Sequence, residues 1–598
     1  MRHIPYRIKG QPISIRVVED ERDLSEFSEW ISRQRIVGFD TETTGLDWWN
    51  AGRGFYLRLA QFGTGDEAFV IPVEKGLVFA QAVRTALQRL EGLIAHNGTY
   101  DLHVVEQCLG IPMEDLAPKM WDTKILAHLV DPRAVKEQGP GLKLEELTKF
   151  YICEKTAEEV KGSIRELAQR YKTTKDKIWA LVSLQDKDFN RYAGMDPILA
   201  FRLFQILYRL IPARSKIHGL IGWEHRLAHV TAKLERTGYL LDVAYAEKRC
   251  AELIADQEHW EAVAQSFGVE NPNSNKQLAE AFLSMGIKLT KRTPKGELAM
   301  DDAVLVSLQH PLAEAVIKSR KAGKWRKTWF ESALNSRDAD NRVHASINTV
   351  GARTARMSIS GAVPAQTYPS GSGYVRHMWL AEEGHVSATI DYANMELRYS
   401  AATSRDHTML NAFQKGLDLH QITAGAAGVA RKIGKMANFL TVYGGGWKAL
   451  RVQAGVDEET ARKTLKAFNE TYPGVGAFSK RLADEARKTG YVYTATGRRL
   501  PVDKGRWYAA LNYYVQSGSR DITARALLEL DEAGFTPYMR LPIHDEIVFS
   551  FPEKQAAGMA HEAARLMEFT VNGLLIPADA EIGQRSWGSV LELEASKH

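Results

Sequence analysis

Arg431, Lys435, Phe439 and Tyr443 recur every four residues in the stretch RKIGKMANFLTVYGGG. On an α-helix, positions i and i+4 share a face, so this spacing lines up two cations and two aromatic rings. The Gly444-Gly445-Gly446 run then stops the helix. Such a stripe suits a ligand that is anionic at one end and flat at the other. The cations take a polyphosphate, and the rings stack on a base and its sugar. An amphipathic helix with snorkelling cations and buried aromatics has the same pattern, so the rest of the chain must decide between the two.

At 598 residues the chain is too long for one core, and two to four domains are expected. Its 44% hydrophobic and 25% charged residues are those of an ordinary soluble globular protein. A net charge of +5 neither requires nor excludes nucleic acid, because acidic catalytic centres offset a basic groove. The three cysteines, Cys108, Cys153 and Cys250, form no CxxC pair, which argues against a zinc site or a disulfide framework. The N-terminus lacks an apolar signal core and no apolar run approaches membrane-spanning length, so a cytosolic protein is expected.

From Ile36 to about Leu210 the pattern is mixed α/β. The strands Ile36–Asp40, Leu57–Phe62 and Ala68–Pro72 are its clearest elements. From about Ile211 to Trp329 the signals are helical, broken at Asn271-Pro272-Asn273-Ser274 and Thr293-Pro294-Lys295-Gly296. From Val343 the chain is mixed again, and the main boundary is placed near Ile211-Pro212.

Asp40 and Glu42 close the first strand, and residues i and i+2 of a strand point to one side. Two carboxylates so close are costly unless a cation neutralises them. Asp101 follows His96-Asn97-Gly98-Thr99-Tyr100, and Asp196 lies one helical turn after Tyr192. Four acids and a tyrosine in this order fit a two-metal nuclease, in which Mg²⁺ ions about 4 Å apart clamp the attacking water and the leaving oxygen. Tyr192 would orient the water. The segment resembles the DEDD 3′–5′ exonucleases of the tyrosine subtype, the proofreading domain of the bacterial polymerase I family. Asp40, Glu42, Asp101, Asp196 and Tyr192 match its catalytic pattern. Asp122 matches a recurrent position but serves equally well as a helix N-cap.

A second set of acids lies in Thr389-Ile390-Asp391-Tyr392 and Ile543-His544-Asp545-Glu546, where polar residues interrupt an apolar strand pair. A buried His-Asp-Glu on a hairpin costs several kcal/mol unless it is compensated, and a metal with a nucleic-acid terminus would do so. With Arg431–Gly446, these segments resemble motifs A, B and C of family A DNA polymerases. The resemblance implies that Asp391 and Asp545 bind two catalytic Mg²⁺ ions. It also implies that Arg431, Lys435 and His420 hold the triphosphate, Phe439 packs on the sugar, and Tyr443 sits by the templating position. Glu396 would be a steric gate against a 2′-hydroxyl. Arg356, in Thr354-Ala355-Arg356-Met357-Ser358, would contact the primer, and Gln516, His544 and Arg398 are further DNA contacts. Thr496-Gly497-Arg498-Arg499 also fits the family.

Lys318, Arg320, Lys321, Lys324, Arg326 and Lys327 cluster around Trp325 and Trp329. A charge run alone suggests a solvated helix face. In the resembling family this segment belongs to the thumb, so Lys321, Lys324 and Lys327 are read as duplex contacts. Three departures from the family pattern stand out. Leu440 replaces the Gly after Phe439, Ala355 replaces the Gly before Arg356, and only ten residues separate His420 from Arg431. Whether Glu546 binds metal is left open.

The resemblance implies α/β and α+β domains: a ribonuclease H-like DEDD exonuclease over 1–212, then a right-hand polymerase over 213–598. The thumb falls at about 213–340, the palm at about 341–410 and 500–598, and the fingers at about 411–499. It implies template-directed DNA synthesis with 3′–5′ proofreading, two Mg²⁺ per active site, and Mn²⁺ able to substitute. Primer-template DNA and dNTPs are the partners, with other replication proteins besides. No membrane is involved and a monomer is expected. With no room for a 5′-nuclease domain, the compact chain looks like a bacteriophage replicative enzyme acting in the host cytosol. The competing reading is a dedicated exonuclease with a non-catalytic, DNA-binding C-terminal half.

Overall fold

The computed structural model describes residues 1–369 and 373–596. The expected palm ranges include 370–372 and 597–598, which lie outside the described residues. The first half is built on a seven-stranded sheet of β1 (Arg2–Ile8), β2 (Gln11–Val17), β3 (Ile36–Thr43), β4 (Leu57–Gly63), β5 (Glu67–Ile71), β6 (Gly92–Ala95) and β7 (Met120–Asp122). Their order is β1-β2-β5-β4-β3-β6-β7. The β1–β2 hairpin was not anticipated. Its turn is Lys9-Gly10, both at positive φ, the geometry that a two-residue hairpin turn requires.

β3 carries Asp40 and Glu42. It runs antiparallel to β4 and parallel to β6 and is buried over most of its length, as a central strand must be. The Lys187–Leu210 helix, which carries Tyr192 and Asp196, lies directly across it. A Cβ on Gly38 would collide with the Pro197 carbonyl, so the bare backbone of Gly38 lets this helix reach the sheet. That close approach brings Asp196 to Asp40.

The second half contains a four-stranded antiparallel sheet in the order Met539–Ile543, Glu546–Pro552, His385–Tyr392, Ala578–Ile582. The expected hairpin at His544-Asp545 is present, and Asp391 lies on the strand beside it. Helices Val243–Gln265 and Pro311–Trp325 pack together, and a small separate core of Leu278, Phe282, Leu305, Leu312 and Val316 lies at their far end. The stretch read as helical also contains a strand, Tyr239–Leu241, which pairs with Trp379–Leu380 and Arg342–Val343. Three residues are too short a run to show strand periodicity.

The expected boundary, Ile211-Pro212, falls between the Lys187–Leu210 and Ala213–Ile217 helices. Packing is not divided there. The Leu220–Thr237 helix gives Leu220 and Ala232 to the cores of the first half, and Leu227, Val230 and Leu234 to the core of the second. On the same helix, fully buried Glu224 accepts Arg520 Nη1 and Nη2 at 2.6 and 2.7 Å, and it also pairs with Arg498. Asp521 completes a buried set of two cations and two anions, bonding Arg498 at 2.9 Å. A buried charge without partners costs several kcal/mol, so these contacts specify how the helix seats. They also pull Glu224 down to about 2: the two guanidiniums outweigh its burial.

Candidate active sites

In the first centre, ligand oxygens of Asp40, Glu42 and Asp196 lie within 4.8 Å of one another. Asp101 is not part of that tight group. It is buried at the start of the Thr99–Leu109 helix and accepts the Thr41 hydroxyl at 2.6 Å. Burial, reinforced by the other carboxylates, lifts Asp40 and Glu42 well above the ordinary carboxylate range. Burial likewise carries Asp101 and Asp196 up to about 7. Tyr192 hydrogen-bonds to Asp196, whose charge holds the phenol proton on. A dense set of hard oxygen donors that resists ionisation by itself fits divalent cations. Asp122 is a cap: its carboxylate accepts the backbone N–H groups of Lys124, Asn97 and Gly98 at 2.8, 2.9 and 3.0 Å.

In the second centre, Asp391 lies in register with Glu546 on one neighbouring strand and Asp579 on the other. His544 and Asp545 form the two-residue turn between Met539–Ile543 and Glu546–Pro552, with His544 at φ +59°. Burial raises Asp545 above its ordinary value. Asp579 was missed by the sequence reading; only strand register aligns it with Asp391.

The Arg431–Val442 helix forms as the spacing predicts, and Gly444 at φ +72° ends it. Arg431, Lys435 and His420 line one cavity of about 310 Å³, together with Asn394, Arg398 and Phe413. Arg431 Nε is ion-paired with Asp418 at 2.5 Å. Phe439 lies 5.8 Å from the His420 ring and 6.3 Å from the Tyr443 ring. The missed residue here is Asn438. It is fully buried, bonds His420 Nδ1 at 3.0 Å and accepts Thr423 Oγ1 at 2.7 Å. A polar side chain in mid-helix was its available signal. Gly434 leaves room for the His420 carbonyl, which any Cβ there would strike.

Leu440 does not disturb the stripe. It points into a small core with Ala437, Leu450 and Ala461, and Gly445 is bare where a Cβ would meet it. Ala355 takes the left-handed conformation, at φ +63°, that a Gly would adopt freely.

Glu396 is buried and accepts both Tyr443 Oη at 2.6 Å and Arg356 Nη2 at 2.7 Å. Gln516 accepts the Thr354 hydroxyl at 3.3 Å, beside Arg356. Arg398 donates to the Ala393 and Leu575 carbonyls and covers the Phe413 ring at 4.4 Å.

The basic cluster divides into two groups. Lys321, Lys324 and Lys327 are exposed. Arg320 instead donates to the Pro272 and Met300 carbonyls, Arg326 pairs with Glu331, and Lys318 pairs with Glu314. Arg498 belongs to the buried set around Glu224, and Arg499 donates to the Val130 carbonyl at 2.6 Å.

Comparison with known families gives the class of this two-part chain, a nucleic-acid polymerase joined to a nuclease. Residues 243–589 match the model of DNA polymerase family A, and residues 15–212 match a 3′-5′ exonuclease model, so the chain belongs to family A. It is 46% identical over 595 residues to the DNA polymerase of Mycobacterium phage L5, covering 99% of each chain. It is 43% identical over 607 residues to that of Mycobacterium phage D29, again with 99% of each covered. In fold it is similar to the POL domain of Pol1 from M. smegmatis in complex with DNA primer-template and dNTP. The TM-score is 0.74 at 21% identity, covering 96% of this chain and 100% of that one.

Proposed function

We propose that this family A enzyme is a template-directed DNA polymerase with 3′–5′ proofreading. The observation that carries this reading is the convergence of Arg431, Lys435 and His420 on one cavity. Arg398, expected at the DNA, lines the same cavity, and we assign it to the polyphosphate. Asp391 and Asp545 would hold two divalent cations. Asp40, Glu42, Asp101 and Asp196 would hold the other pair, with Mg²⁺ as the expected ion and Mn²⁺ able to substitute. Cations held by these carboxylates would supply the positive charge that activates an attacking oxygen and stabilises a leaving one.

The chain's own groups do the rest. Arg431 and Lys435 steady the triphosphate as the primer 3′-hydroxyl attacks the α-phosphate and pyrophosphate leaves. Phe439 packs on the sugar, and Tyr443 lies by the template base. Glu396, pinned by Tyr443 and Arg356, bars a 2′-hydroxyl. Arg356, Gln516, His544, Lys321, Lys324 and Lys327 contact the duplex, which gives binding a steep salt dependence. In the nuclease centre Tyr192 orients the water. The phage relatives support action in an infected cell; we assign the chain to the host cytoplasm, as a monomer working alongside other replication proteins. Among the described residues no helix is long and apolar enough to cross a membrane.

Mutation should separate the two activities. Asp40→Ala with Glu42→Ala should abolish 3′-end degradation and leave primer extension intact; Asp391→Ala or Asp545→Ala should do the reverse. Loss of both activities from either change in a folded protein would overturn the two-centre assignment. A nuclease with an inert C-terminal half predicts no extension by the unmodified enzyme.

A further inference from the structure

The nuclease centre is braced from outside its own half of the chain. His103 lies two residues after Asp101 on the Thr99–Leu109 helix and is buried. Its Nε2–H donates to Glu235 Oε2 at 2.9 Å. Glu235 stands near the end of the Leu220–Thr237 helix, and its second carboxylate oxygen accepts the Ile347 N–H. Its backbone carbonyl accepts His344 Nδ1–H at 2.8 Å, and His344 Nε2 lies 3.2 Å from Asp338. On the nuclease side, Trp48 stacks flat on His103, with centroids 4.0 Å apart and planes 2° from parallel. Trp49 stacks on His344 at 5.1 Å.

Two acid-bearing segments therefore meet at His103, and one carboxylate anchors that ring. The loop after Glu42 arrives through Trp48, and the Asp101 helix arrives through His103. Beside them runs a crevice of about 740 Å³, with Asp40, Asp101 and Leu46 on one wall and Ser346 to Val350 of the polymerase half on the other. Glu235 is 7% exposed. A carboxylate so buried is costly unless both oxygens are bonded, which fixes the geometry of its partners. Asp101 is the acid outside the tight group of Asp40, Glu42 and Asp196, so a small tilt of its helix sets its distance from the others.

We propose that Glu235, a residue of the polymerase half, is a positioning residue for the 3′–5′ exonuclease. It holds the Asp101 helix and the Trp48 loop in the spacing that excision needs. The proposal rests on Asp40, Glu42, Asp101 and Asp196 forming the exonuclease centre.

The test uses the full chain with Glu235→Ala and Glu235→Gln. Excision of a single-stranded 3′ end gives kcat and KM separately, and extension of a matched primer is measured on the same preparation. Glu235→Ala should lower excision kcat tenfold or more, with KM and extension each within twofold. Glu235→Gln keeps an acceptor for Ile347 N–H and a polar partner for His103, and should recover at least a third of the lost kcat. Amide hydrogen exchange across 99–109 should quicken at least fivefold in Glu235→Ala, independently of activity. Trp48→Leu, which removes the stack from the other side, should reproduce the kcat loss. Unchanged excision in Glu235→Ala overturns the proposal. Excision and extension falling together overturns it too, because the residue would then be a general structural one. Asp40→Ala is the control: if that variant still degrades 3′ ends, the centre itself is misassigned, which is a different failure.

Discussion

Tyr443 and Glu396 are joined by a 2.6 Å hydrogen bond from the phenol to the carboxylate, and Arg356 holds the other oxygen of that carboxylate at 2.7 Å. One acid thus ties the end of the Arg431–Val442 helix to the element that carries Arg356. A carboxylate fixed on both sides cannot swing aside, which is what the proposed steric gate against a 2′-hydroxyl needs.

Glu396→Ala removes that obstacle and leaves Tyr443 and Arg356 without their partner. Discrimination between dCTP and CTP, measured as the ratio of kcat/KM in an Asp40→Ala background, should fall at least tenfold. Incorporation of dCTP should also slow several-fold, because a buried partner left unpaired costs about 1–3 kcal/mol. An unchanged ratio would make Glu396 a tie between elements and nothing more.

Phe439 carries no hydroxyl, and its ring lies beside His420 near the proposed triphosphate cavity. A dideoxynucleotide leaves the contact of its missing 3′-hydroxyl unfilled, and a Tyr hydroxyl would fill it. The enzyme should therefore select dNTPs over ddNTPs, and Phe439→Tyr should reduce that preference by roughly one to two powers of ten. Single-nucleotide incorporation kinetics without excision give the ratio; no change would place the ring away from the sugar.

Leu440 and Gly445 should be energetically coupled. Gly445→Ala alone drives a methyl group into Leu440 and should cost on the order of 1–3 kcal/mol. Leu440→Ala alone opens a cavity and should cost about 2–3 kcal/mol. The double variant should cost clearly less than the sum of the two, since each change relieves the other. Urea unfolding of the four proteins gives the coupling, and strict additivity would show that the two sites do not touch.

His128 should make the fold acid-labile. It is fully buried, and its Nε2–H donates to the Ala352 carbonyl at 2.8 Å. Burial brings it down from 6.5 to about 4. A depressed value means that the unfolded chain binds the proton first. Its contribution is therefore whole above about pH 6.5 and is lost as pH falls toward 4, by up to about 3 kcal/mol. Glu224, pulled down to about 2, adds a second loss below pH 4.5. His96, also brought down to about 4, adds to this loss, while Asp101 and Asp196, carried up to about 7, oppose it. His128→Gln should therefore change the slope of urea-derived stability between pH 6.5 and 4, gaining on the unmodified protein as pH falls, while leaving the lower limb. A limb of unchanged slope would assign the loss to other groups.

The sequence carried the chemistry further than the geometry. Asp40, Glu42, Asp196 and the Arg431–Tyr443 stripe were legible because short-range periodicity fixes which side chains share a face. The bonds of Asn438 and the alignment of Asp579 with Asp391 were not, since they depend on a neighbouring helix and on strand register. Arg320 and Arg326 looked like their lysine neighbours, yet a helix turns through every direction in one turn, and these two face inward. Arg398 was expected at the duplex; that it also lines the cavity, against the Phe413 ring on another helix, is a contact no strand or helix periodicity sets. The contact between His103 and Glu235 spans 132 residues, and no local pattern announces it.

The Leu220–Thr237 helix has one more consequence. Because Ala232 seals one core and Leu227 another, copying and correcting are carried on a common beam. Cutting the chain at Ile211-Pro212 would strip the nuclease of its floor, so the seam visible along the sequence is not where the molecule comes apart. Heat or denaturant should melt both halves in one step. A lineage that discards proofreading would find it easier to blunt the acids than to delete the domain.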